Sequence, residues 1–190
     1  YTGCGDDPEE AVRLVSAGLA MINAAADPKL VISAVHNLIG FLADCGRFRE
    51  AQRLLRKTRQ AYFAEGDRLN LIKLSWLEGR IAAGLGHLRR AEQSLLEARR
   101  ELEATGLEYH TALVSLDLAA VWLGQGKTAE TRKLVEELVA NFRARRIARE
   151  TLAALVLLKD AFDLDRTGPI ELLRAVTRYL KGSRQALGAS

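Results

Sequence analysis

The side chains able to bind a metal or perform redox chemistry are few, and their spacing assembles no site. His36, His87 and His110 are the three histidines, and none has a second ligand one helical turn away, which is the spacing of a zinc site on a helix. Cys4 and Cys45 are the only cysteines and do not form a CxxC pair. We therefore expect no metal site and no cofactor.

Catalytic motifs are equally weak. Gly126-Lys127-Thr128 matches the end of a phosphate-binding loop, in which the lysine contacts the phosphates. That loop needs an earlier glycine, at the position of Val121, and a strand before it, whereas Val121 lies in a predicted helix. No nucleophile elbow orders serine, histidine and aspartate into a triad. The sequence therefore predicts no catalytic residue and no enzyme activity.

A repeat organises the chain and decides where any binding residue must lie. Gly46, Gly86 and Gly126 are evenly spaced, and each opens a similar segment. Gly66 and Gly106 fall midway between successive members of this series and keep the same register. A fixed period of about 40 residues is typical of a solenoid, in which each unit is one helix pair and neighbouring units stack to bury a continuous core.

The composition predicts helices throughout. Alanine, leucine, arginine and glutamate are abundant, and aromatic residues make up 6% of the chain. Pro8, Pro28 and Pro169 are the three prolines, and each falls where a helix should begin. We predict an all-α solenoid of about eight helices in a single domain over residues 1–181. Its predicted parts are a half-repeat at 1–27, repeats at 28–66, 67–106 and 107–146, a C-terminal repeat or cap at 147–181, and a flexible tail at 182–190.

The residues around each turn glycine resemble the tetratricopeptide repeat, in which a small turn residue and an alanine let two helices pack closely. The likeness covers most of the chain, although the usual unit has about 34 residues and these units lack its closing proline. Glu78 interrupts the apolar pattern of the second unit, and Thr131 replaces the alanine of the third. The matching residues are Leu38, Leu42, Gly46, Phe48, Ala51 and Leu55 in the first complete unit, Glu78, Ala82, Gly86, Leu88, Ala91 and Leu95 in the second, and Leu118, Trp122, Gly126, Thr128, Thr131 and Val135 in the third.

The resemblance implies a right-handed solenoid of antiparallel helix pairs whose first helices line a concave groove. Units of this length are similar to those of bacterial regulatory and signalling proteins, where the repeats act as sensor or docking platforms. The implied function is the binding of a peptide or protein partner in the groove. The family's ligand-facing positions carry over to Ser33, His36, Asn37, Gly40 and Asp44 in the first complete unit, to Lys73, Trp76, Leu77 and Arg80 in the second, and to Leu113, Leu116, Asp117 and Ala120 in the third. The candidate binding residues among them are Ser33, His36, Asn37, Lys73, Trp76, Arg80 and Asp117.

Each of these groove residues also has a purely structural interpretation. Trp76 would serve either as the apolar anchor for a bound peptide or as filler between helices. His36 and Asn37 are equally compatible with ordinary polar surface. Arg80 and Asp117 stand among apolar neighbours and would satisfy each other as an ion pair across adjacent helices.

Two alternative functions remain open at this stage. Residues 1–27 fit the second half of a unit, which indicates that further repeats or another domain precede Tyr1. That half-unit and the last helix would also stack on a copy of themselves in a homodimer.

Rows of arginine would track nucleic-acid phosphates, but we favour the simpler interpretation, in which they complement helix dipoles and cover apolar surface. The rows comprise Arg47, Arg49, Arg53, Arg56, Lys57 and Arg59 in one predicted helix, and Arg143, Arg145, Arg146 and Arg149 near a later turn.

Charge and hydropathy predict a cytoplasmic protein without a membrane span. The formal net charge of +4 is too weak by itself to indicate a nucleic-acid partner. Asp6, Asp7, Glu9 and Glu10 occupy the place of a basic signal-peptide start, and no run of about 18 apolar residues is present. We expect both cysteines to be reduced, with a Cys4–Cys45 disulfide as the alternative.

Overall fold

The computed structural model describes residues 7–22 and 27–144, apart from the side chains of Glu65 and of residues 142–144. Within these ranges the chain forms seven α-helices and no strand, which confirms the predicted all-α class there. The segments predicted at 147–181 and 182–190, and Cys4, lie outside the described residues. The helices are α1 (Pro8–Met21), α2 (Pro28–Asp44), α3 (Phe48–Glu65), α4 (Arg68–Gly84), α5 (Leu88–Ala104), α6 (Glu108–Gly124) and α7 (Thr128–Ala144).

Aspartates begin three of the helices. The Asp7 carboxylate accepts a hydrogen bond of 2.9 Å from the Glu9 amide, and Asp27 accepts one of 3.0 Å from Leu30. Asp67 is the repeat equivalent of Asp27 and accepts a bond of 2.8 Å from the Leu69 amide. Each carboxylate satisfies a helix amide that has no partner inside the helix, and its charge suits the positive end of the helix dipole.

Glycine ends the helices at a fixed step. The glycines at positions 46, 66, 86, 106 and 126 all have φ between +63° and +79°. At Gly46 the chain turns so that the Arg47 amide donates to the Leu42 carbonyl at 2.8 Å, and the same bond recurs one repeat later, from His87 to Ala82 at 2.9 Å. Glycine adopts this left-handed conformation without the steric cost that a Cβ atom brings. The predicted corners are therefore confirmed.

The contacts divide the chain into two compact units, Tyr1–Ala98 and Arg99–Ser190, with the boundary inside α5. In the first unit α2 packs against α1, α3 and α4, and α3 also packs against α4. Ala51 and Ala91 are fully buried, as expected for the small residue of the second helix. Gly79 of α4 lies so close to α5 that a Cβ atom there would be 2.7 Å from Cγ of Leu95. Small residues thus set the approach of helices in this unit.

In the second unit α6 packs against α7. Thr131 takes the alanine position of this repeat and is fully buried. Its hydroxyl donates to the Lys127 carbonyl at 2.8 Å, so the extra polar atom is satisfied within its own helix. Arg99 pairs with Glu103 at 2.8 Å and with Glu137 of α7 at 3.2 Å. The prediction of one continuous domain over residues 1–181 stays a prediction.

Over the described part of the chain, none of the helices has both the length and the apolar character that crossing a bilayer requires.

Candidate functional site

The first helices of two successive repeats, α2 and α4, pack directly on each other in the first unit. The surface along their contact is called the α2–α4 face here. Its members are His36, Gly40 and Asp44 on α2, with Lys73 and Arg80 on α4. His36, Lys73 and Arg80 were predicted from sequence as binding residues, and the packing of the two helices brings them together.

An ion pair crosses the α2–α4 face. Nη2 of Arg80 lies 2.5 Å from Oδ1 of Asp44, and the two side chains are 16% and 33% exposed. Gly40 is the repeat equivalent of Arg80, and a Cβ atom at Gly40 would lie 3.9 Å from Nη1 of Arg80. The guanidinium therefore passes close to the backbone of α2 and ties the register of α4 to that of α2. Asp117 is half-buried on α6 in the second unit, and its predicted pairing with Arg80 stays a prediction.

The imidazole of His36 is half-buried and contacts the ring of Tyr62 edge to face, with 6.4 Å between the ring centroids. Burial lowers the pKa of His36 to about 4, and the nearby charges of Lys73 and Arg80 contribute to the same shift. The ring is therefore neutral at pH 7. Among the described residues, Nδ1 of His36 finds no hydrogen-bond partner. His36 is thus not ordinary polar surface, whereas Asn37 is exposed and fits that interpretation.

Tyr62 also belongs to this region; the sequence predicts it on the inner side of its helix but not as a binding residue. It occupies the repeat position held by Leu102 in the next unit, and it is 1% exposed. Its hydroxyl lacks a hydrogen-bond partner within the described ranges, and burial raises its pKa to about 12. The available signal was a hydroxyl at a position that is otherwise apolar in the repeat.

The remaining groove residues differ in exposure. Ser33 is exposed, while Lys73 and Trp76 are half-buried. Trp76 makes a side-chain interaction, so it contributes to packing, yet part of its surface remains accessible. The structure is therefore compatible with both interpretations of Trp76.

The interruption of the apolar pattern at Glu78 has a structural explanation. Oε1 of Glu78 lies 3.4 Å from Nη2 of Arg59 on α3, and the Glu78 side chain is 17% exposed. The Arg59 guanidinium also lies 5.7 Å from the ring centre of Phe63. Glu78 thus faces the second helix of its neighbour, on a different side of α4 from the ion pair of Arg80 with Asp44.

The arginine row of α3 is partly neutralised. Arg47 pairs with Glu50 at 2.8 Å and with Glu9 of α1 at 3.0 Å. The hydrogen bond to Glu50 is the main cause of a raised pKa at Arg47 and of a lowered pKa at Glu50. Cys45 is a free thiol next to this cluster, and burial raises its pKa to about 11. The second predicted row, Arg143 to Arg149, lies outside the described side chains.

The described ranges contain no group of three or more His, Cys, Asp or Glu side chains placed to hold a metal ion. No protein-family model matches the sequence, and searches of curated proteins and of solved structures found no match. The resemblance to tetratricopeptide repeats therefore depends on the residues quoted above and on the helical repeat that the structure contains.

Proposed function

We propose that the chain is a tetratricopeptide-like interaction module that binds a peptide or protein segment in a groove lined by its first helices. In this proposal the helix pairs continue as a right-handed solenoid of about eight helices. The module belongs to a larger bacterial regulatory or signalling protein and works in the cytoplasm. The contact of α2 with α4 and the recurring glycine corners support this arrangement.

The observation that carries the proposal is the chemistry of the α2–α4 face. His36 contributes a half-buried, neutral ring to this face, and the Nδ1 atom of that ring is itself buried. Lys73 supplies a cation for a carbonyl or carboxylate. Trp76 lies three residues after Lys73 and four before Arg80, a spacing that places it on the same side of α4, and it supplies accessible apolar surface. The face therefore suits an extended segment with an acidic and an apolar side chain.

The test is a selection of peptides from a random library displayed on phage, followed by measurement of the affinity of the enriched peptides. We expect a shared sequence with an acidic and an apolar position. The double variant Lys73→Ala, Trp76→Ala should then lose about tenfold or more in affinity, as removal of a binding hot spot does. The matched control is Phe63→Ala, which removes an exposed aromatic ring of α3.

Two results would count against the groove. One is a library that yields no enriched sequence. The other is an enriched peptide that binds the double variant and the wild type equally well, because the peptide would then contact another surface.

A specific observation supports homo-oligomerisation as the second candidate. Leu14 and Met21 of α1 are 47% and 87% exposed, and Leu30 at the start of α2 is 49% exposed. Apolar side chains this exposed suit burial against another chain. Sedimentation at several concentrations should then show a dimer that Leu14→Glu, Met21→Glu dissociates. A monomer at every concentration would remove this candidate.

A further inference from the structure

A recess of the first unit lies between α3, α4 and the start of α5. The residues that line it differ from those of the α2–α4 face. Its volume of about 80 Å³ holds a few water molecules or a phosphate-sized group and is smaller than a site for a drug-sized ligand. Arg56 and Arg59 of α3, Glu78 of α4, His87 and Arg90 line it, and these five residues define what is called the basic groove here. The proposed peptide-binding function uses none of them.

The walls of the basic groove combine polar groups with apolar surface. Leu55, Ile81 and Ala82 also line it, and they are 5%, 2% and 5% exposed. The polar groups are mainly guanidinium and imidazole N–H donors, together with the amide of Gln52. The polar part of these walls suits a ligand that is rich in hydrogen-bond acceptors.

The charges of the groove are unbalanced. Glu78 is the one carboxylate among its described lining residues, and this group already pairs with Arg59 at 3.4 Å. Neither Arg56 nor Arg90 forms an ion pair or a side-chain hydrogen bond within the described part of the chain. Three guanidinium groups against one carboxylate leave two positive charges among these side chains. Two cations from different helices that line one recess are a suitable clamp for an anion with two negative charges.

We propose that the basic groove binds the phosphate group of a small phosphorylated molecule. Phosphate fits because its oxygens accept several N–H bonds at once and because arginine presents donors with matching geometry. Arg56 and Arg90 hold the phosphate from two helices, while Glu78 keeps Arg59 engaged and limits the negative charge that the groove accepts. The small volume favours a compact ligand over a nucleic-acid strand.

The test is calorimetric titration of the full chain with sodium pyrophosphate at low salt. Arg56→Gln, Arg90→Gln should weaken binding about tenfold or more, because each arginine contributes charge-assisted hydrogen bonds. Glu78→Gln should strengthen binding severalfold, because it removes the negative charge from the groove and frees Arg59. A general loss of stability cannot produce this opposite sign.

The matched control is Arg49→Gln, Arg89→Gln. It removes the same charge from α3 and α5, but neither residue lines the groove. Binding within about twofold of the wild type is expected for this variant, since only screened long-range attraction is lost. If the double variant of Arg56 and Arg90 and the control variant weaken pyrophosphate binding equally, the binding reflects general electrostatic attraction and the proposal is overturned.

A second titration uses a random duplex oligonucleotide under the same conditions. A compact ligand is supported by two results together. Pyrophosphate binding depends on Arg56 and Arg90, and the duplex binds equally well to the double variant of Arg56 and Arg90 and to the control variant of Arg49 and Arg89. Failure to bind pyrophosphate overturns the proposal, whatever the duplex does. A loss of duplex binding in the double variant of Arg56 and Arg90, but not in the control variant, would also overturn the proposal, because the groove would then bind a nucleic-acid strand.

Discussion

The imidazole of His36 is held against the ring of Tyr62 and faces the cationic side chains of Lys73 and Arg80. Both surroundings disfavour a proton on the ring, because burial removes water and the cations repel a third positive charge. A neutral histidine can accept one hydrogen bond and donate another, which a charged ring cannot do. The packing of the α2–α4 face thus keeps the imidazole of His36 neutral.

This environment makes folding stability depend on pH. The pKa of His36 is about 4 in the fold, against an ordinary value of 6.5. Its contribution to stability is fully present above about pH 6.5 and is lost as the pH falls towards 4, since the unfolded chain binds the proton first. We expect the His36-dependent loss of unfolding free energy to be about 2 kcal/mol, allowing for partial solvation of the ring. Urea unfolding at pH 7, 5.5 and 4.5 measures it.

The control for this effect is a comparison of His36→Gln with His87→Gln. His87 is exposed, so its replacement should leave the pH dependence of the wild type unchanged. His36→Gln should flatten the dependence between pH 6.5 and 4. If the unfolding free energies of all three proteins depend on pH in the same way, the ring of His36 is solvated in the folded protein.

The hydroxyl of Tyr62 is buried and has no hydrogen-bond partner in the described residues. Tyr62→Phe removes that desolvated group and keeps the ring, so we expect stability to stay equal or to rise by about 1 kcal/mol. Tyr62→Ala should instead cost about 3–5 kcal/mol, because it leaves a cavity in the core. Denaturant midpoints compare the three proteins. A clear loss of stability in the phenylalanine variant would mean that the hydroxyl has a bonded partner, such as a buried water.

At the scale of helices, the spacing of α4 and α5 depends on a missing side chain. A Cβ atom at Gly79 would lie 2.7 Å from Cγ and 2.8 Å from Cδ2 of Leu95, and 3.3 Å from its backbone nitrogen. The side chain of Leu95 is fully buried and has little space in which to move. The backbones of the two helices must then separate to accommodate any larger residue.

We therefore predict that Gly79→Ala costs about 1–3 kcal/mol of unfolding free energy, as overpacking of a core does. Gly18→Ala is the matched control, because Gly18 also lies within a helix but a Cβ atom there meets nothing within 4 Å. That variant should gain about 0.5–1 kcal/mol from helix propensity. The two changes have the same chemistry and opposite expected signs in denaturant unfolding. Stabilisation by Gly79→Ala would show that the helices adjust freely.

The helices themselves could be predicted from sequence, while several of their contacts could not. The spacing of Gly46 and Gly86 predicted the turns between helices, because a turn residue with positive φ is usually glycine and can therefore be recognised in the sequence. The ion pair of Arg80 with Asp44 could not be predicted from the sequence, since it depends on how α2 and α4 cross and on how far the long arginine side chain reaches. Glu78 stood out as an exception, but only the packing of α3 against α4 identifies Arg59 as its partner.

The same limit applies to the candidate site. His36, Lys73 and Arg80 could be selected because the tetratricopeptide repeat, which the sequence resembles, presents its ligand-facing residues at fixed positions of the unit. The burial of the His36 ring and the role of Tyr62 could not, because they depend on how closely α3 fits against α2. A period identifies which residues share a side of a helix, and packing decides how much water reaches them.

At the scale of the whole molecule, the repeat predicts that equivalent corners are also energetically equivalent. Gly46, Gly86 and Gly126 have φ values of +74°, +79° and +76°, and a Cβ atom at any of them meets nothing within 4 Å. The cost of alanine at each is then backbone strain alone, about 1–2 kcal/mol. Hydrogen exchange and urea unfolding of the three single variants should give values that agree within about 0.5 kcal/mol, because the backbone conformation is nearly the same at the three positions and the added methyl group meets no atom at any of them. Costs that differ by more than that would show that the repeat units are similar in sequence but are not interchangeable in the folded protein, and the solenoid proposal would lose its main support.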